Sequence, residues 1–533
     1  MPPTITELED KYFDPALGLT RYYGDVEVIP HVDGVAYFSA IADSLDLCQG
    51  PGDKIYITSF MFKGVFDLRA RSRSATGPGI NLGQRLVALA ARGADVRLIH
   101  ACPFYSTGLK GGAFDSDDLI FNMGVVAANE ILIGRGGING VAYSNIDDAH
   151  QLRRLGSGWP LAGRVLLDWG GSSPDSRHDK SVIVCSASAR QARAFVAGID
   201  ILQERVSTPE HLGHLNVSAN PDDSTDAWSW HDAGVELRGS AALGVLDNFI
   251  TRWTETATLP PRLLWHDGGK RLFNGLIEPS APARPTNVVH PQTPAGCSVR
   301  ILRSYESVRA EVWKLTKPTT LIPWHTLPAA PILEILNVLT RAISRAERYI
   351  YIECQTLNAP NDLTADYYRH DDLFPSLSAA CARGVRVILL CSEMSSPATL
   401  SNEIQVQILS RLTPAQQDNF CLYRVEGCRM HAKIIIIDDE FASIGSANMW
   451  DRSMRGLETE LNVAYVHLGE RNSMVADLRV RLWLEHLRVD SGNGNAANEL
   501  RDLDAALGIF RSSWATTSIS FAYPNSKLRE IAA

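Results

Sequence analysis

The sequence predicts an α/β protein of two homologous sandwich-like halves, each a central mixed sheet flanked by helices, related by a pseudo-dyad. Three observations predict it. A short string recurs 253 residues apart: His178-Asp179-Lys180 ahead of Ser181-Val182-Ile183-Val184, and His431-Ala432-Lys433 ahead of Ile434 to Ile437. The similarity spreads well beyond the string, which a chance match would not do: Ile55-Tyr56-Ile57 is echoed by Ile350-Tyr351-Ile352, and residues 86–99 by 377–390. Within each copy apolar helices alternate with short Val/Ile/Leu runs, the pattern of a layered α/β domain.

In chain order, Ile55-Tyr56-Ile57 reads as a buried strand. The helix that follows stops at Gly93 and its equivalent at Gly384, a glycine C-cap, with a Val/Ile/Leu strand directly after. The β-branched runs after each His-x-Lys read as further buried strands. Gly198-Ile199-Asp200 and Gly445-Ser446-Ala447-Asn448 then supply small-residue turns where backbone can approach a ligand closely. Each copy closes on an aromatic helix, carrying Phe249, Arg252 and Trp253 in one and Leu478, Arg479 and Trp483 in the other.

A chain of 533 residues is too long for one ordinary core, and two domains are expected. The division read from the sequence is 1–260 for the first half, 261–296 for a connection rich in proline, and 297–533 for the second half. The spacing between the glycine cap and the His-x-Lys string is 38 residues longer in the first half, and the surplus falls around 103–159. Long insertions of this kind are either lids or decoration, and both readings stay open.

The composition, 45% hydrophobic and 21% charged, is that of a globular protein. A net charge of −9 argues against nucleic acid as the main partner, because phosphate backbones reward a basic surface. The amino-terminal residues carry acidic groups and no apolar core, so no secretory signal is read, and no run reaches the ~18 apolar residues of a spanning helix. The nine cysteines show no metal-like pairing, and Cys185, Cys381 and Cys391 fall inside apolar runs as free thiols do. These features suggest a reduced, soluble monomer, cytoplasmic or exported without a classical signal peptide.

Histidine and lysine two residues apart in extended chain face the same way. Two such pairs supply what phosphodiester cleavage needs. One imidazole attacks, another protonates the leaving oxygen, and two ammonium groups hold the phosphoryl oxygens without a metal or other cofactor. His211 and His214 have a spacing that invites a metal reading, but no cysteine or acid cluster accompanies them in sequence, and no metal site is assigned. His231 and His486, beside Trp230 and Trp483, read as structural hydrogen-bonding groups. Phe60, Phe62, Phe66, Trp228, Trp230 and Trp324 are candidates for an apolar rim that meets a lipid surface, although core packing is the commoner role of such residues.

With both strings in view, the chain resembles the phospholipase D superfamily, marked by paired H-x-K-x4-D motifs, and within it the two-domain phospholipase D enzymes. Further matching strings are Tyr351-Ile352-Glu353-Cys354-Gln355, Trp230-His231-Asp232, Arg452-Ser453-Met454 leading to Glu460, and Leu482-Trp483-Leu484-Glu485-His486-Leu487. The resemblance implies a phosphohistidine mechanism with His178 as nucleophile and His431 as acid and base. It implies that Lys180 and Lys433 bind phosphate together with Asn448, Ser446 and Asp200, and that Asp232 and Glu460 are the carboxylates orienting the imidazoles. The implied activity is hydrolysis of a glycerophospholipid to phosphatidic acid and free headgroup, with transfer to other alcohols, by a protein that touches membranes peripherally.

Three departures stand out: Cys185 where the first motif would carry Asp, Ala197-Gly198 for a Gly-Gly pair, and Cys354 for Asn. Two alternatives therefore stay open. One is a nuclease or other phosphodiesterase of the same superfamily, and the other a catalytically impaired phospholipid-binding homologue.

Overall fold

A computed structural model describes residues 3–60, 62, 67–70, 82–101, 164–168, 178–202, 205–211, 229–257, 263–266, 270–273, 281–291, 296–305, 331–355, 373–392, 408–425, 428–449, 451–456, 458–468, 473–489, 494–510 and 528–530. The insertion at 103–159, His214, Phe66, Trp228 and Trp324 lie outside them.

The strands are β1 (Tyr22–Tyr23), β2 (Val26–Val32), β3 (Lys54–Ser59), β4 (Asp95–Ala101), β5 (Val165–Asp168), β6 (Ser181–Ser186), β7 (Gln191–Ala197), β8 (Trp230–His231), β9 (Ala233–Gly239), β10 (Leu263–His266), β11 (Lys270–Phe273), β12 (Cys297–Tyr305), β13 (Ile332–Leu333), β14 (Tyr349–Cys354), β15 (Arg386–Ser392), β16 (Phe420–Val425), β17 (Arg429–Met430), β18 (Ile434–Ile437), β19 (Phe441–Gly445), β20 (Glu460–His467) and β21 (Leu528–Glu530). The longer helices are α1 (Ile5–Tyr12), α2 (Gly34–Asp46), α3 (Leu82–Ala91), α4 (Ser240–Ala257), α5 (Glu334–Arg345), α6 (Phe374–Ala382) and α7 (Met474–His486).

Both halves carry the same mixed sheet. The first runs β2-β9-β7-β6-β3-β4-β5, and the second contains β12-β20-β19-β18-β14-β15-β16 in the corresponding places. The senses agree strand for strand: β3 with β4 and β14 with β15 are parallel, whereas β3 with β6 and β14 with β18 are antiparallel. Helices cover the sheets, and the cores are continuous clusters of buried Val, Ile, Leu and aromatic side chains. β19 and β20 pack on β7 and β9, so the motif-bearing layers of the two halves face each other. A two-residue parallel ribbon, Arg429 with Trp230 and Met430 with His231, ties the halves beside this seam.

The amino terminus crosses over. β1 pairs with β12, and α1 packs on α5 and β20 of the second sheet, where Lys11 and Tyr12 both bond Glu440 at 2.8 and 2.7 Å. The first stretch of chain and the first sheet therefore do not coincide.

The sheets also explain how Cys185 is accommodated. Asp438, at a left-handed φ of 55°, accepts hydrogen bonds from the backbone N–H groups of Glu347, Arg348 and Tyr349 at 2.8–2.9 Å, pinning the turn before β14. Cys185 is buried opposite Lys54 and can accept no such set. In the first half Asp53, just before β3, does the pinning from the other side, accepting from Gln49, Gly50 and Ala187 N–H at 2.5, 2.8 and 2.7 Å. The carboxylate has moved to the neighbouring strand. Asp53→Ala is expected to destabilise the first half by about 2–4 kcal/mol, the scale of lost charge-assisted bonds and a stranded buried N–H. Thermal unfolding checks this, and the pH profile of turnover should not move.

Among the described residues no helix is long and apolar enough to cross a membrane, and every described cysteine is a free thiol.

Candidate active site

The two His-x-Lys strings enter the central strands of their sheets. β6 is held between β3 and β7, and β18 between β14 and β19, with all four isoleucines of β18 buried. Strands bonded on both edges cannot slip, because a one-residue shift would turn every side chain to the wrong face. Histidine and lysine are thereby presented together at the seam.

The backbone at each histidine is docked on the opposite half. His178 N–H donates to Thr459 C=O at 3.0 Å, and His431 N–H to His231 C=O at 2.8 Å. Each acceptor immediately precedes a buried carboxylate, and that carboxylate takes the imidazole. His178 Nδ1 lies 3.0 and 3.1 Å from the two oxygens of Glu460, and His431 Nδ1 lies 2.6 Å from Asp232 Oδ2. Each half thus orients the other half's histidine. Such reciprocity between equivalent positions is the signature of a two-fold relation. With Nδ1–H directed to the carboxylate, Nε2 is the lone-pair nitrogen left to do chemistry.

Other groups hold the carboxylates still. Glu460 receives Ser446 Oγ at 2.5 Å and Ser453 Oγ at 2.6 Å, while Leu461 N–H donates to Ser446 Oγ at 3.0 Å. Ser446, expected beside the substrate, is engaged in positioning Glu460. Asp232 Oδ1 accepts from Ala233 N–H at 2.9 Å. A Cβ at position 198 would stand 2.7 Å from that same Oδ1 and 3.0 Å from Lys433 Cδ, so Gly198 is the glycine the site requires. Its neighbour Ala197 lies in β7 with no comparable demand, which accounts for the Ala-Gly departure.

Lys180 and Lys433 fold back on the chain, bonding His178 C=O at 2.8 Å and His431 C=O at 2.5 Å. Lys433 also reaches Gln355 Oε1 at 3.5 Å. Burial and the cation of Lys180 hold the Lys433 ammonium down to about 8 despite the pull of Asp232. Burial pushes Glu460 and Asp232 up to about 7 against the attraction of the lysines. Burial, then Lys180, holds His178 at about 3, and His431 is likewise held well below the usual imidazole range. Each histidine feels both lysines, so the two pairs share one electrostatic pocket. An anion bound there would offset the lysines and let an imidazole take a proton.

Asp200 and Asn448 occupy matching places after Ala197 and Gly445, whose N–H groups point to Lys180 and Lys433 C=O at 3.5 and 3.4 Å. Asn448 Oδ1 is buried without a hydrogen bond. Asp200 instead lies 3.8 Å from Lys180 and 3.6 Å from Arg205, the placement of a counter-ion.

Sequence reasoning missed Arg205 and Arg429. Their guanidiniums lie 3.3 and 4.5 Å from the Trp230 ring centroid, and Trp230 meets His431 edge-on at 5.2 Å. Neither arginine sits in a recognisable string, so no sequence signal marked it. Phe60, 5.2 Å from the His178 ring and 5.3 Å from Lys180 Nζ, lies against the first pair, whereas Phe62 is core.

Family models match the chain twice: one described as "Phospholipase D" over residues 170–359 and one as "Cardiolipin synthase, PLD-like domain" over 339–474. The chain belongs to the phospholipase D superfamily. Its relatives include phospholipase D alpha 3 of Arabidopsis thaliana, 25% identical over 410 residues that cover 59% of this chain and 48% of the relative. Phospholipase D alpha 1 of Carica papaya is 24% identical over 542 residues, 84% of this chain and 63% of the relative. The chain spans about half the length of most of these plant relatives. Among solved structures, phosphatidylserine synthase of Haemophilus influenzae Rd KW20 aligns over 87% of this chain and 86% of its own, with 10% identity and a TM-score of 0.47. Nuc of Salmonella typhimurium, a phospholipase D family member, aligns over 36% of this chain and 93% of its own, with 17% identity and a TM-score of 0.23.

Proposed function

We propose that this superfamily member is a phospholipase D, which cleaves a glycerophospholipid to phosphatidic acid and free headgroup and passes the phosphatidyl group to other alcohols. The observation that carries the proposal is the crossed pairing of His178 with Glu460 and His431 with Asp232 around two buried lysines.

In this mechanism Lys180 and Lys433 draw the phosphodiester's non-bridging oxygens into the seam, assisted by the Asn448 amide. Asp200 acts on the phosphate only through Lys180. His178 Nε2 attacks phosphorus, forming an N–P bond. The bond to the headgroup oxygen breaks, and His431 delivers a proton to that oxygen. Water or a second alcohol then enters, gives its proton to neutral His431 and attacks phosphorus, releasing His178. Electrostatic stabilisation by fixed cations in a buried pocket supplies the largest share of the acceleration.

The division at 260 and 296 belongs to the same proposal, with each half carrying one His-Lys pair and the other half's carboxylate. Because both pairs come from one chain, a single copy suffices. A nuclease is the less favoured reading, since the net charge of −9 gives no general attraction for a polyanion. The test is headgroup release from phosphatidylcholine, phosphatidylethanolamine and phosphatidylglycerol without added metal, with His431→Ala as control. Release by the wild type and none by the variant supports the proposal. Silence from folded protein on all three lipids, with cleavage of DNA instead, overturns it.

A further inference from the structure

Directly behind Asp232 lies a second cluster of buried polar groups that the phosphodiester chemistry does not use. Asp33 precedes α2, His211 follows the Arg205 segment, His231 is in β8, and Glu485 is on α7 of the other half. Their side chains are 1–3% exposed, apart from His231 at 0%. One ligand atom from each lies within 4.8 Å of all the others.

The separations are informative. His211 Nε2 stands 3.3 Å from Glu485 Oε1 and 3.6 Å from Asp33 Oδ2, and His231 Nδ1 stands 3.4 Å from Asp33 Oδ1 and 2.7 Å from Glu485 Oε1. A tetrahedral ion with bonds of ~2.0–2.1 Å spaces its ligand atoms about 3.3 Å apart.

Hydrogen bonding leaves part of this set unsatisfied. Asp33 Oδ2, His231 Nδ1 and both oxygens of Glu485 are buried without a hydrogen bond, even though His231 Nδ1 and Glu485 Oε1 are only 2.7 Å apart. At that distance it is the angle, not the separation, that fails a hydrogen bond. Buried carboxylates need a cation beside them, and here that is either the two imidazoles in protonated form or a bound metal ion that takes their place.

The surroundings have the form of a metal site's supporting layer. His231 uses its other nitrogen, Nε2, on Glu353 Oε2 at 2.8 Å, and Glu353 is itself held by Tyr351 and His486 at 2.6 and 2.8 Å. A carboxylate behind the far nitrogen is what fixes the ring of a metal-bound histidine.

We propose that Asp33, His211, His231 and Glu485 bind one divalent ion of the zinc type, a structural site that locks the two halves together behind the catalytic seam. Three ligands come from one half and the fourth from the other. Asp33 N–H donates to Asp232 C=O at 2.8 Å, and Asp232 N–H donates to Asp33 Oδ1 at 3.3 Å, so the site would brace the backbone that carries the His431 partner. The ion is a positioning element that takes no part in bond cleavage. It was invisible in sequence because its ligands are scattered from residue 33 to residue 485.

The probe is zinc alone, titrated into chelator-stripped full-length protein against a chromogenic chelator, with cobalt(II) as a spectroscopic substitute. One zinc per chain, a tetrahedral cobalt spectrum and a higher Tm with zinc are expected. Glu485→Gln and His211→Gln should each weaken zinc binding by more than about 100-fold, since loss of a supporting-layer group alone costs 10–100-fold. Glu460→Gln, at the other carboxylate-rich cluster, should bind zinc as the wild type does. Folded wild-type protein that yields its zinc to a micromolar-affinity chelator, or shows no tetrahedral cobalt bands, overturns the proposal even if the variants fail to fold. Unchanged zinc affinity in folded Glu485→Gln overturns it equally.

Discussion

His178→Ala and His431→Ala are each expected to lower headgroup release from natural phospholipids by about 10⁴-fold or more, but for different reasons that one substrate separates. Removing His178 removes the atom that forms the N–P bond, so no leaving group restores activity. Removing His431 takes away the proton needed by a poor leaving group, a loss of roughly 10²–10⁴-fold for the acid step and again for activating water. A phosphatidyl ester of p-nitrophenol needs no such proton. His431→Ala should therefore release a burst of p-nitrophenol equal to the enzyme present and then stall, while His178→Ala releases none. A burst from His178→Ala and none from His431→Ala would exchange the two roles, which the near-symmetry of the site permits.

The second large effect is on pH. Glu460 is pushed up to about 7 by burial, so it takes up a proton as pH falls through that value. A protonated Glu460 no longer accepts Nδ1–H from His178, the tautomer that leaves Nε2 nucleophilic is lost, and kcat/KM falls on the acid side. Lys433 is held at about 8 by burial and by Lys180, so it loses its charge as pH rises through that value and the phosphate clamp weakens. The kcat/KM profile of the free enzyme should be a narrow bell between these limbs. In the kcat profile the alkaline limb should move upward, because a bound anion favours the charged ammonium. Asp232 is pushed up to about 7 by burial as well, so the acid limb should disappear only when Glu460→Gln is combined with Asp232→Asn. Glu460→Gln alone should lower the plateau by about 10²–10⁴-fold, the range seen when an orienting carboxylate is lost. A broad profile, or an acid limb intact in the double variant, would dissociate that limb from the two carboxylates.

The parts of the site legible in sequence are those carried by short-range geometry. His and Lys at i and i+2 ahead of a β-branched run declare their shared direction, and the duplication declares that two such pairs exist. Asp232 and Glu460 were reachable only through resemblance, since neither lies near its histidine in the chain. That each serves the other half's imidazole followed from tertiary contact alone: Thr459 C=O and His231 C=O dock the opposite strings. The resemblance implies Ser446 as a substrate ligand, yet it folds onto Glu460. The Asp missing at 185 leaves two readings open in sequence, a structural strand end or an impaired motif. Its counterpart Asp438 is a strand-end pin, and Asp53, just before the adjacent strand, makes a comparable set of bonds that includes Ala187 N–H. Compensation across a sheet register cannot be read from one strand. Nor could the packing of α1 on the second sheet, which depends on Glu440 more than four hundred residues away.

The proposal that both histidines serve one phosphohistidine intermediate is tested most directly by product partitioning. Phosphatidylcholine, phosphatidylethanolamine and phosphatidylglycerol are turned over in the same ethanol–water mixture, and phosphatidylethanol is measured against phosphatidic acid. Passage through a common phosphatidyl–His178 adduct requires one ratio for all three, because the headgroup has left before the acceptor enters. A ratio that changes with the headgroup, or headgroup release with no phosphatidylethanol at any ethanol concentration, would contradict it.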